Sequence, residues 1–131
     1  MRIASVGTAY PSHRYSQQEI SDALTARWRD RMEEPRLINR LFVNCGVDFR
    51  NLVFPLDVYE NLSGFGPTND AWIVAAVELG QKAITTALDR VGLTPADISA
   101  IFFASVTGIA SPTIDARLIN LMPFPASVKR T

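Results

Sequence analysis

"AIFFASV", residues Ala100 to Val106, decides the fold. It carries no charge and is apolar on both alternating faces, the pattern of a central strand covered by helices on each side. Upstream, "DAWIVAAVELGQKAITTALDRV" predicts a helix from about Asp70 to Val91. Trp72, Ala76, Leu79, Ala83, Leu88 and Val91 form an apolar stripe that Ile73, Val77, Gly80, Ile84 and Ala87 widen, as in a helix buried against a sheet. Gly80 in mid-helix costs roughly 1 kcal/mol relative to Ala, so a close approach to neighbouring backbone is expected there. Downstream, "SVTGIASPTIDARL" (Ser105 to Leu118) holds a polar turn and then a helix starting near Pro112 and running through Met122. Gly92 stops the long helix, and Thr94 before Pro95 opens a short helical turn.

Further out, Ile3 to Ala9 alternates and reads as a first strand ending at Pro11. Ser16 with Glu19 is a capping box for a helix bearing Ile20, Ala23, Leu24, Arg27 and Trp28, which should end before Pro35. "RLINRLFVNCG" gives a second helix with Leu37, Leu41 and Cys45 on one stripe and Gly46 as its C′ residue. "VDFRNLVFP" reads as a strand leaving through Pro55, and residues 56 to 69 as a loop with Gly64, Gly66 and Pro67, inside one domain. Strands alternating with helices in this order predict an α/β layered fold whose sheet is at least partly parallel.

Composition narrows the function. The chain has 131 residues, 47% apolar and 20% charged, with thirteen basic and thirteen acidic side chains and a formal net charge of zero. Such a chain fits one domain and has no surplus of Lys and Arg for a nucleic-acid groove or an acidic lipid surface. Its apolar runs are too short to span a bilayer, and "MRIASVGTAYP" has no signal-peptide core. With Cys45 as the single cysteine, no intrachain disulfide can form, which fits a reducing compartment and a cytoplasmic protein.

Few residues suggest chemistry. Cys45 falls at a helix C-terminus, where the dipole disfavours thiolate, so a buried structural cysteine is expected. His13 sits beside Ser12 and Arg14 in what reads as a polar surface loop, and one His with one Cys makes no zinc site. Gly7 lacks the partner glycines of a dinucleotide fingerprint. Arg36 and Arg40, at i and i+4, either hold a phosphate such as that of coenzyme A or form a solvated face. Asp115 suits the first turn of its helix by the dipole alone. The turn after "AIFFASV" lies beyond a strand's C-terminal end, where open α/β sheets bind ligands. Ser105, Thr107 and Ser111 would edge such a pocket, with Gly108 permitting close backbone approach.

Taken in order, "MRIASVGTAYPSHRYSQQEI", "CGVDFRNLVFPLDVY", "FGPTNDAWIVAAVELGQKAI", "SVTGIASPTIDARLI" and "PASVKRT" resemble the N-terminal part of bacterial type III polyketide synthases, the chalcone and stilbene synthase-like enzymes. The resemblance implies part of the N-terminal half of a thiolase-like layered α/β fold, residues 1–131 forming one partial domain. It implies condensation of malonyl-CoA units onto an acyl-CoA starter, with a nucleophilic cysteine and with a histidine and an asparagine stabilising the oxyanion. Coenzyme A thioesters are then substrates, and no covalently bound cofactor is expected. Val106 and Thr107 correspond to acyl-pocket positions, and Ser111 to one reaching across the homodimer interface. Arg40 and Arg36 fall near the basic residues that hold coenzyme A phosphates. In the family the nucleophile follows "VKRT", so Cys45 and His13 are not its catalytic residues, and no catalytic residue is expected among these 131. The implied partners are acyl-CoA, malonyl-CoA, and a second copy or a complementary C-terminal segment. A non-catalytic remnant, or a module binding acyl-CoA or a synthase partner, stays open as the alternative.

Overall fold

The computed structural model describes residues 2–31, 34 and 36–131, leaving aside the side chains of Arg31 and Arg36. Pro35, expected just beyond the first helix, lies outside the described residues. The chain divides into two compact units, one of Pro11–Ser63 and one of Met1–Tyr10 with Gly64–Thr131. One division, at Ser63 and Gly64, falls within the stretch expected to be a loop inside one domain.

The unit Pro11–Ser63 is built on an antiparallel pair, β1 (His13–Ser16) and β2 (Phe49–Leu52), with His13 opposite Leu52 and Ser16 opposite Phe49. His13 is therefore a half-buried strand residue and not a surface-loop histidine. Ser16 ends β1 and caps α1 (Gln17–Trp28) with the expected reciprocal box. Its Oγ accepts from the Glu19 amide at 3.2 Å, while Glu19 Oε2 accepts from the Ser16 amide at 2.7 Å. Helix α2 (Arg36–Asn44) ends at Gly46, whose φ of +63° is the left-handed C′ conformation expected there. Its inward face is different from the expected one. Ile38 is buried and Phe42 half-buried, whereas Leu37, Leu41 and Cys45 are exposed. The row Ile38–Phe42 keeps the same i, i+4 spacing as Leu37–Leu41, so periodicity alone does not choose between two adjacent apolar rows. Residues 56 to 69 are largely helical, a second correction. Helix α3 (Leu56–Asn61) follows Pro55, and α4 (Phe65–Asp89) begins five residues earlier than Asp70. Gly66 and Pro67 are tolerated because they occupy the first turn of α4, where amides have no intrahelical partner to lose.

In the other unit, α4 runs to Asp89, with Arg90 as its cap and Gly92 at φ +66° closing the end. Of its expected stripe only Leu88 is buried; the other buried residue of α4, Ala75, lies outside that stripe. A Cβ on Gly80 would sit 3.1 Å from Leu118 Cδ1, so the close neighbour is a side chain and not the backbone expected. The backbone approach occurs instead at Gly7, which lies against Ala83 and Ala87 of α4. Residues Ile3 to Ala9 form no strand. Their alternation turns Ser5, Gly7 and Ala9 inward and leaves Val6, Thr8 and Tyr10 exposed, but no ladder partner pairs with them among the described residues.

"AIFFASV" contributes β3 (Ala100–Ile101), which pairs in parallel with β4 (Lys129–Arg130) around α5 (Ile114–Leu121). The bonds Phe103 N to Thr131 O and Thr131 N to Ile101 O, both 3.0 Å, prolong that pairing. The parallel strand–helix–strand unit is as expected; the covering on both faces is not, since Phe102 is 79% exposed. Helix α5 starts at Ile114 after the cap Thr113, two residues beyond Pro112, and buries Ile114 and Leu118. Pro95 to Asp97 form the short turn expected after Thr94.

Two carboxylates give the fold a pH dependence. Hydrogen bonds from the Ser16 hydroxyl and then its amide hold Glu19 below its ordinary 4.5. The Thr94 amide and then its hydroxyl hold Asp97 below 3.8. Both folded pKa values are depressed, so the unfolded chain binds more protons at acid pH. The stabilisation is complete above those ordinary values and is lost as pH falls through the lower folded ones. Thermal unfolding followed across this acid range is expected to show a shallower decline for the double variant Glu19→Gln, Asp97→Asn than for the parent. Parallel curves would exclude the two caps as the source.

Candidate functional site

The turn beyond β3 is the site position that the topology marks, and its geometry is specific. Val106, Thr107 and Ser111 are all exposed, Val106 completely so at 105%. Within the turn, the Thr107 amide donates to Ser105 Oγ at 3.2 Å. Beyond it, Arg117 Nε donates to Pro112 O at 3.0 Å, tying the end of the turn to α5. The centre is held from α4. Asn69 Oδ1 accepts from the Ile109 amide at 2.9 Å, and Asn69 Nδ2 donates to Ile109 O at 2.8 Å. Beside this pair, Gly108 lies so close to α4 that a Cβ would overlap the Trp72 ring and crowd Asn69 Oδ1. The close backbone approach expected of Gly108 is therefore real, and it is made to Trp72. Below the turn, Asp115 is buried with its Oδ2 3.9 Å from Arg130 NH1 on β4.

Asn69 went unread in the sequence, and Trp72 was read only as part of the apolar stripe of the long helix. Asn69 stands 40 residues from Ile109 and fell in a stretch read as loop. Gly108 was the one local signal, since a glycine in a polar turn asks what presses against it.

Arg36 and Arg40 lie on α2, in the unit Pro11–Ser63. Arg40 is exposed, and the Arg36 side chain lies outside the described residues. Arg50 is engaged: its Nε donates to Gln17 Oε1 at 2.9 Å, and its NH2 lies 3.7 Å from Cys45 Sγ. Cys45 is exposed and not the buried residue expected. Gln17 Nε2 at 3.4 Å also donates to its sulfur, which itself donates to Phe42 O at 3.0 Å. Polar neighbours at the end of α2 take the place of an apolar pocket. Among the described residues no group of three or more His, Cys, Asp or Glu is placed to hold a metal, and no helix is long and apolar enough to cross a membrane.

No protein-family model matches the chain. Among solved structures, the 1,3,6,8-tetrahydroxynaphthalene synthase of Streptomyces coelicolor, a bacterial type III polyketide synthase, superposes with a TM-score of 0.83 at 28% identity, over 97% of this chain and 37% of that one. The type III polyketide synthase domain of Steely1 from Dictyostelium gives a TM-score of 0.84 at 24% identity, a likeness of fold. The class is thus a thiolase-like α/β fold, of which these residues form a part. Sequence relatives narrow it. The chain is 38% identical over 128 residues to the 1,3,6,8-tetrahydroxynaphthalene synthase of Streptomyces peucetius, covering 98% of this chain and 34% of the relative. It is 31% identical over 120 residues to the phloroglucinol synthase of Pseudomonas fluorescens, 90% of this chain and 34% of that one. Its homologues are bacterial type III polyketide synthases, and the chain spans about a third of the length of the curated relatives it matches.

Proposed function

We propose that these residues are the part of a type III polyketide synthase that walls the acyl pocket and approaches coenzyme A, in an enzyme condensing malonyl-CoA onto an acyl-CoA starter. The observation that carries it is the 38% identity running across 98% of the chain to a synthase of that family. In such an enzyme malonyl-CoA loses carbon dioxide, the resulting carbanion attacks the enzyme-bound acyl thioester, a carbon–carbon bond forms, and the cysteine thiolate leaves. The nucleophile, histidine and asparagine of that chemistry belong to the other two thirds of the enzyme. Val106 and Thr107 line the pocket, Ser111 faces the second copy of a homodimer, and Arg40 with Arg36 meets the coenzyme A phosphates. Exposure of the three turn residues and of Arg40 supports this reading, because groups that meet a ligand or a second subunit lie open in the separate chain. The compartment is the cytoplasm, consistent with a single thiol and no disulfide. An exposed Arg40 also fits a second reading, a module that binds acyl-CoA or a synthase partner without catalysis.

The test joins residues 1–131 to the remaining two thirds of the Streptomyces peucetius relative and supplies malonyl-CoA with an acyl-CoA starter. The joined enzyme is expected to release carbon dioxide and form a polyketide product, while the 131-residue chain alone forms none. Arg40→Ala in the joined enzyme should raise KM for the coenzyme A substrates several-fold and change kcat little, as expected when binding common to ground and transition states is removed. Product from the chain alone, or a joined enzyme that binds acyl-CoA without turnover, would overturn the catalytic reading.

A further inference from the structure

We propose that Asn69 is a positioning residue that holds the Val106–Ser111 turn in place and thereby sets which acyl chains the pocket accepts. The inference rests on the pocket reading above and adds a residue that does not itself touch the acyl group. Its basis is an imbalance in what holds the turn. Val106 is fully exposed and Ile109 is 73% exposed, so side-chain packing does not anchor these two residues. The Thr107–Ser105 bond is local and moves with the turn. The Arg117 bond reaches only Pro112. At the centre, one side-chain amide satisfies both backbone groups of Ile109, at 2.9 and 2.8 Å.

An amide is what this position requires. One atom must accept from an N–H while its neighbour donates to a C=O, and among short side chains only Asn offers both in one plane. Aspartate keeps the first bond but sets a carboxylate oxygen against the Ile109 carbonyl; alanine loses both. Trp72, three residues on and so on the same helix face, fills the space that a side chain at Gly108 would need. Two neighbours on the rigid helix α4 thus fix residues 108 and 109 by pairing and by exclusion. Val106 and Thr107 stand just before that anchor and Ser111 just after it. When the anchor is released, the two residues assigned to the pocket wall and Ser111 beside them move together, and discrimination by acyl length relaxes.

The experiment has two readouts. Amide exchange at Ile109 in the chain is expected to accelerate by about tenfold or more in Asn69→Ala, where the acceptor for the Ile109 N–H is lost, and by less in Asn69→Asp, which keeps that acceptor but repels the Ile109 carbonyl. Exchange in the middle of α4 should stay unchanged. In the joined enzyme, the ratio of kcat/KM for lauroyl-CoA to that for acetyl-CoA should move several-fold toward unity in both variants. Unchanged exchange at Ile109 would overturn the anchor. Faster exchange with a lower kcat but an unaltered ratio would overturn the specificity role and leave Asn69 purely structural. A joined parent enzyme without product would count against the pocket reading, and Ile109 exchange would still decide the anchor.

Discussion

Gly7→Val is expected to lower the stability of the unit that contains α4 by roughly 3 kcal/mol or more, the upper end of what overpacking costs. The reason is the nature of the obstacle. A Cβ at residue 7 would collide with the Ala83 carbonyl oxygen, the Ala87 amide nitrogen and the Ala87 Cβ. Two of those atoms are helix backbone and the third is fixed to it, so no rotamer change relieves the clash. The segment 3–9 must lift away from α4, and with it go the inward placement of Ser5 and Ala9 and the bond from Arg90 to the Val6 carbonyl. Gly66→Ala is the control. Nothing lies within 4 Å of a Cβ there, and its φ is not positive. Removing a glycine from a helical turn with open space should be neutral or stabilise by up to about 1 kcal/mol. Thermal unfolding of both variants beside the parent checks the pair. A Gly7→Val midpoint within about 2 °C of the parent would mean that the segment does not lie on α4, since each kcal/mol shifts a domain of this size by several degrees.

The same glycine shows how far the sequence could be read. Periodicity and caps found α4 and α5, the box at Ser16 and Glu19, and the glycine stops at Gly46 and Gly92, because each of these depends on residues within a turn or two of one another. Readings that depended on a distant partner fared differently. Alternation in Ile3–Ala9 read as a strand, but a strand needs a ladder partner, and alternation carries no information about one. On α2, two adjacent apolar rows had equal spacing and the neighbouring elements chose Ile38. Gly66 and Pro67 read as loop residues because their tolerance in a first helical turn depends on where the helix begins. The candidate site divides in the same way. Its place after β3 follows from topology, and the resemblance supplied Val106, Thr107 and Ser111. The Asn69 anchor was invisible because Ile109 contributes only backbone to it, and a backbone partner leaves no residue type to recognise.

Self-association is the second large effect expected of the separate chain. Val74 on α4 is 70% exposed, and Phe102 in the segment that continues β3 is 79% exposed. Ile3 at 83% and Val6 at 59% add further apolar side chains in the same unit. Scattered apolar residues are ordinary on a surface, but here they accompany a second feature. Among the described residues β3 has one partner, β4, and the segment 3–9 has none, so backbone groups suited to pairing stand beside exposed side chains suited to burial. Edges of that kind pair with other chains unless charge, proline or a covering element prevents it. Covering a few hundred Å² of apolar surface at roughly 25 cal/mol per Å² returns several kcal/mol, comparable to the stability of a small domain. Light scattering coupled to size exclusion should therefore give a mass that rises with concentration. The double variant Val74→Ser, Phe102→Ser should shift it toward the monomer, and a hydrophobic dye should bind the parent more strongly than the variant. A monodisperse monomer with a single sharp unfolding transition would overturn this, because it would show that the exposed edges and side chains are stable in water as they stand.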